Sequence, residues 1–88
     1  MEDFEKEIKD LAGWEKVENK LKKDFKFKDF IEAFSFVTRI ALISEKMNHH
    51  PDWRNVYNEV EIRLSSHDSG NRVTEKDRKL AEGIDRIE

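Results

Sequence analysis

Three histidines are the residues of this 88-residue chain best suited to acid–base chemistry. His49 and His50 are adjacent and stand directly before Pro51, and His67 follows a run of alternating apolar residues. Unperturbed imidazole titrates near pH 6.5, so it gives or takes a proton around neutrality, and it also ligates metals. A tri-histidine zinc centre is chemically sound, but neighbouring histidines project in different directions. The helical spacings His-x-x-x-His and His-Glu-x-x-His are absent as well. No cysteine is present, which excludes thiol catalysis, Cys-based zinc sites and iron–sulfur clusters. The three glycines are isolated, at positions 13, 70 and 83, and form no phosphate-cradling loop. Ser66, His67 and Asp68 are sequence neighbours, whereas the members of a catalytic triad converge from separate segments. A histidine-based acid–base site and a plain binding module both remain open.

Periodicity defines the elements that must position these side chains. Phe4, Ile8 and Leu11 have helical spacing, which predicts a first helix over Glu2–Ala12 with Gly13 just past its end. From Trp14 to Phe27 the period shortens; Phe25 and Phe27 flank Lys26, and a hairpin is expected with its turn at Asn19-Lys20. The strongest helix spans Asp29 to about Asn48. It carries two apolar stripes, one of Phe30, Phe34, Val37 and Ala41 and the other of Phe36, Ile40, Ile43 and Met47. Pro51 disfavours helical geometry at His50, so the paired histidines fall at that helix's end, where a dipole interaction alone would also account for His49. Between Val56 and Ser66, Val60, Ile62 and Leu64 alternate with Glu59, Glu61, Arg63 and Ser65, the pattern of a strand with one buried face. After a loop at Asp68–Asn71, Thr74 caps a last helix with Asp77 at its third position and a stripe of Leu80, Ile84 and Ile87. The fold class is α+β, with residues 1–88 as a single domain.

Composition narrows the setting. Hydrophobic residues make up 36% and charged residues 42%, with a net charge of −3 and both signs well mixed. Such a balance gives no electrostatic footprint for nucleic acid. No apolar run nears the roughly 18 residues of a membrane span, and the acidic start Met1-Glu2-Asp3 is no secretory signal. A cytoplasmic protein is expected. A chain of this length buries only about 60% of its unfolded surface, and without disulfides self-association would add stability. The Phe36/Ile40/Ile43/Met47 stripe either packs on another helix of the same chain or forms a subunit contact.

The run Glu45-Lys46-Met47-Asn48-His49-His50-Pro51-Asp52-Trp53, then Asn55-Val56-Tyr57-Asn58, Leu64-Ser65-Ser66-His67 and Asp77, resembles the pterin-4a-carbinolamine dehydratase family. Phe27-Lys28-Asp29-Phe30, Ala33-Phe34, Phe36 and Thr38-Arg39 are similar to that family's long helix, and the likeness extends from Gly13-Trp14 to Ile84. The resemblance implies a four-stranded antiparallel sheet with three helices on one face, the fourth strand coming from the region of Trp53 to Tyr57. It implies dehydration of a 4a-hydroxytetrahydropterin to quinonoid dihydropterin in tetrahydrobiopterin recycling, with neither metal nor organic cofactor. By the same resemblance His49 and His67 form the acid–base pair, assisted by His50. Glu45, Asn48, Trp53, Ser65, Ser66 and Asp77 surround the substrate, the serines through backbone groups. For Asp77 a helix-capping role competes with that one, and for Trp53 a place in the core. Many members carry Asp where this chain has Asn48; the amide hydrogen-bonds but brings no charge to the neighbouring imidazole. The family forms homodimers and homotetramers, so a contact through the Phe36/Ile40/Ile43/Met47 face or a sheet edge is expected. A protein-interaction module of the same fold, and action on another pterin as in molybdopterin metabolism, are the competing readings.

Overall fold

The structure, a computed structural model, describes residues 11–66, 70 and 72–88. Four antiparallel strands form one sheet in the order β1-β2-β4-β3, with β1 at Glu15–Val17, β2 at Lys20–Lys26, β3 at Asp52–Val56 and β4 at Glu59–Leu64. Helix α1, Phe30–Met47, joins β2 to β3, and helix α2, Glu75–Ile87, follows β4. The α+β class and the four-stranded antiparallel sheet agree with the sequence reading. Of the three helices expected, the described residues contain two. The expected first helix over Glu2–Ala12 lies outside the described residues except for Leu11 and Ala12, which sit in a bend and turn.

Strand alternation decides which side of the sheet is covered. Leu21 pairs with Leu64, and Phe25 with Val60, and all four are buried. The opposite side carries Lys22, Asp24, Glu61 and Arg63, where Lys22 lies 3.7 Å from both Asp24 and Glu61. Lys23 breaks the pattern, since its register partner Ile62 is in the core. Its ammonium lies over the Phe25 ring, 4.9 Å from the centroid, and reaches Asp85 of α2 at 2.9 Å and the Ala12 carbonyl at 3.1 Å. Trp14, just before β1, donates from Nε1 to the same carboxylate, so the start of β1, β2 and α2 meet at one corner.

Asp29 caps α1 by accepting from the Glu32 amide at 2.9 Å. At the start of α2, Arg78 reaches both Glu75 and Glu82, and its hydrogen bond holds the Glu75 carboxyl below the usual carboxylate range. The core-facing side of α1 is Ala33, Phe36, Val37 and Ile40, with Ile43 and Met47 packed at the margin; it meets Leu80, Ala81 and Ile84 of α2. Of the two readings left open for the Phe36, Ile40, Ile43 and Met47 stripe, packing within the chain's own core is the one the structure shows, with Ile43 and Met47 only partly buried. Of the other stripe, Val37 is buried while Phe30 and Phe34 are exposed, as are Ile31 and Leu42. No described helix is long and apolar enough to cross a membrane.

Candidate active site

The site is built where α1 ends, β3 begins and α2 starts. Asn48 closes α1 in the left-handed conformation (φ 52°, ψ 43°), its amide donating to the Glu45 and Ser44 carbonyls, and the His49 amide also returns to Ser44 at 3.0 Å. A left-handed residue at the helix end reverses the chain, a geometry that Asn tolerates far better than β-branched residues. The two histidines after it consequently go separate ways. His49, half-buried, brings Nε2 to 2.5 Å from Asp77 Oδ1. His50, exposed, places Nε2 2.8 Å from Glu45 Oε1.

The two pairs differ in environment. The Glu45 and His50 side chains are 82% and 58% exposed, so their attraction is screened and worth little. Asp77 is fully buried, and buried carboxylates persist only when their oxygens are satisfied. Here Oδ2 accepts from the Thr74 amide at 2.8 Å and from Ser66 Oγ at 2.9 Å, while Oδ1 accepts from His49. A carboxylate only accepts, so the hydrogen of the His49–Asp77 bond belongs to Nε2 and the lone pair of the neutral ring to Nδ1. A buried carboxylate orienting an imidazole and supporting its protonated form is the standard support for a histidine acid–base group.

Of the residues singled out from sequence, His49 and Asp77 are brought into direct contact, and Glu45 and His50 into a second pair. Asn48 contributes its backbone turn. Trp53 is 38% exposed on the edge strand β3, opposite the core residue Ile62, so it borders the core without joining it. Ser65 is half-buried past the end of β4. Ser66 is buried; it spends its amide on the Arg72 carbonyl (2.8 Å) and its hydroxyl on Asp77. His67 lies outside the described residues. Sequence reasoning missed Thr74 as part of this network, treating it only as a cap. The capping-box spacing of Thr74 and Asp77 was the available signal, since it already binds the two residues together. A hollow of about 400 Å³ on the open face of the sheet, lined by residues such as Lys26, Arg54, Glu59 and Glu61, contains no histidine and is separate from this site.

A sequence profile described as pterin 4 alpha carbinolamine dehydratase matches residues 1–87. A protein of Prochlorococcus marinus (strain MIT 9515), provisionally named pterin-4-alpha-carbinolamine dehydratase, is 52% identical over 86 residues, covering 98% of this chain and 88% of its own length. A Bradyrhizobium sp. (strain ORS 278) protein with the same provisional name is 49% identical over 82 residues, covering 91% and 81%. Among solved structures, a transcriptional coactivator/pterin dehydratase from Brucella melitensis superposes with a TM-score of 0.89 at 42% identity, over 98% of this chain and 93% of that one. A pterin dehydratase-like protein identified as a RuBisCO assembly factor in the alpha-carboxysome shares the fold, with a TM-score of 0.74 at 23% identity over 86% and 89%.

Proposed function

The chain belongs to the pterin-4-alpha-carbinolamine dehydratase family, and on that premise we propose that it converts a 4a-hydroxytetrahydropterin to the quinonoid dihydropterin and water. The observation that carries this reading is the His49–Asp77 pair, an imidazole held by a buried and fully satisfied carboxylate. In the reaction the C4a–O bond breaks, the oxygen leaves as water after gaining one proton, and N5 gives up its hydrogen as the C4a–N5 double bond forms. With its Nε2 hydrogen committed to Asp77, His49 has Nδ1 to take the N5 proton, and the Asp77 charge stabilises the imidazolium so formed. His67 supplies the proton to the departing hydroxyl, and His50, oriented by Glu45, lines the entrance. The Trp53 ring provides an apolar wall for the pterin, and the backbone at Ser65 pairs with the pterin's amide edge.

Stopped-flow dehydration of synthetic 4a-hydroxytetrahydropterin tests this directly. Wild type is expected to accelerate the reaction over buffer, and His49→Ala and His67→Ala each to lose about 10²-fold or more of that acceleration. Wild type no faster than buffer would overturn the reading in favour of a non-catalytic role of the same fold.

A further inference from the structure

The acidic partner of His49 is itself held by a chain of hydroxyls. Ser66 Oγ donates to Asp77 Oδ2 at 2.9 Å and lies 2.6 Å from Thr74 Oγ1. A hydroxyl has one hydrogen, and that of Ser66 is committed to a carboxylate that only accepts. The hydrogen in the Ser66–Thr74 contact is therefore Thr74's. The chain then runs from the Thr74 hydroxyl to the Ser66 hydroxyl to Asp77, with the Thr74 amide as a second donor to the same oxygen. Ser66 is buried and Thr74 half-buried, so water competes little for these bonds.

We propose that Thr74 and Ser66 are positioning residues for the histidine site, setting through Asp77 which ring nitrogen of His49 carries the proton. The Ser66 hydroxyl and the Thr74 amide hold Oδ2 from two sides and so keep Oδ1 aimed at Nε2 across the 2.5 Å contact. The shared hydrogen consequently stays on Nε2, and Nδ1 keeps its lone pair. Without the hydroxyls the carboxylate is free to turn away from Nε2, and the single proton of the neutral ring is then distributed between Nε2 and Nδ1. A ring that carries it on Nδ1, the nitrogen that faces away from Asp77, cannot act as a base there. Ser66 also precedes His67 in the chain; its main-chain amide is bonded to the Arg72 carbonyl and its hydroxyl to Asp77, so the same residue fastens the end of β4 to the His49 support. This inference rests on the dehydratase reading for its kinetic consequence but not for its proton assignment.

The test compares wild type with Thr74→Val, Thr74→Ser and Ser66→Ala by ¹⁵N NMR of the histidine rings and by steady-state dehydration. His49 is assigned from a His49→Gln variant. Wild type and Thr74→Ser are expected to show Nε2–H and a bare Nδ1, and Thr74→Val and Ser66→Ala a shift towards Nδ1–H. In the same variants kcat is expected to fall about tenfold per lost hydroxyl with KM little changed, Thr74→Ser restoring it. A merely structural role would lower stability but leave the ring-nitrogen pattern of the folded protein unchanged, and that pattern overturns the proposal whatever the kinetics. If wild type shows no turnover while the nitrogen pattern shifts as expected, the dehydratase reading fails and the positioning role stands. Thr74→Val is nearly isosteric at a half-buried position, so it remains informative should Ser66→Ala fail to fold.

Discussion

At the residue scale, the separation of two adjacent histidines depends on one backbone angle. Asn48 stands at φ 52°, and from there His49 turns to the buried Asp77 while His50 turns to the exposed Glu45. Gly adopts this conformation without strain, and a β-branched residue resists it by about 1–2 kcal/mol. Asn48→Gly is therefore expected to keep wild-type stability and dehydration rate. Asn48→Val should lose about 1–2 kcal/mol, roughly 4–8 °C in Tm per kcal/mol for a chain of this size. It should also lose activity as His49 leaves Asp77. Thermal melts with kcat measured on the same samples check this, and an Asn48→Val protein as stable and active as wild type would contradict it. Glu45, His49, His50 and Asp77 were singled out in sequence as candidates by their spacing, and the structure brings them together in two pairs. The pairing itself was not legible there. Which carboxylate each histidine meets follows from the left-handed turn between helix and strand, and Asn alone does not announce that turn. The hydroxyls of Ser66 and Thr74 were hidden for a related reason, since a buried donor to a carboxylate and an ordinary helix cap have the same sequence signature.

At the scale of elements, the β1–β2 hairpin shows what a one-residue displacement means. The sequence reading places the turn at Asn19-Lys20, whereas Val17 pairs with Lys20 and the loop is Glu18-Asn19, at φ 51° and 65°. Two consecutive positive φ values are the mark of a type I′ turn, whose backbone twist matches that of the flanking strands. Asn signals positive φ but not which of the two central positions it occupies, and the displacement matters because side chains alternate faces. Glu18 is the misfit residue here, and Asn-Gly is the preferred pair for this turn. A Glu18→Asn, Asn19→Gly double variant is expected to stabilise the fold by about 1 kcal/mol, raising Tm by roughly 4–8 °C. An unchanged or lower melting temperature would mean that Glu18 makes a compensating interaction. Helix α1 carries the corresponding lesson for stripes. Its two apolar faces were legible, yet periodicity could not say which one faces its own sheet. A core-facing stripe and a self-associating one have the same composition, and only the register of α1 over β2 and β4 separates them.

At the scale of the whole molecule, α1 carries an apolar face that is exposed among the described residues. Ile31, Phe34 and Leu42 are 76%, 53% and 69% exposed, and with Thr38, Ala41 and Glu45 they fall on one side of the helix. Positions 31, 34, 38, 41 and 45 follow the alternating three- and four-residue spacing of a helix–helix seam. We propose that a second copy of the chain covers this face, in place of the Phe36/Ile40/Ile43/Met47 contact expected from sequence. An antiparallel pair centred on Thr38 is self-complementary: Leu42 of each copy meets Phe34 of the other, and Glu45 meets the N-terminal turn of the facing helix, where an acidic side chain is favoured. Burying a side chain such as Phe34 contributes about 1.5–3 kcal/mol, and two-fold symmetry counts it twice. Phe34→Glu should therefore weaken association by at least about a hundredfold while leaving the fold intact, because Phe34 takes no part in the core. Phe36→Glu, at a core position only 2% exposed, should unfold the chain. Sedimentation across micromolar to hundred-micromolar protein, together with a melting temperature that rises with concentration in wild type but not in Phe34→Glu, measures this. A wild-type monomer at every concentration would reject the seam. Because Glu45 ends that seam and also holds His50, Phe34→Glu should further expose the entrance histidine, so assembly and the reacting site would be joined through a single side chain.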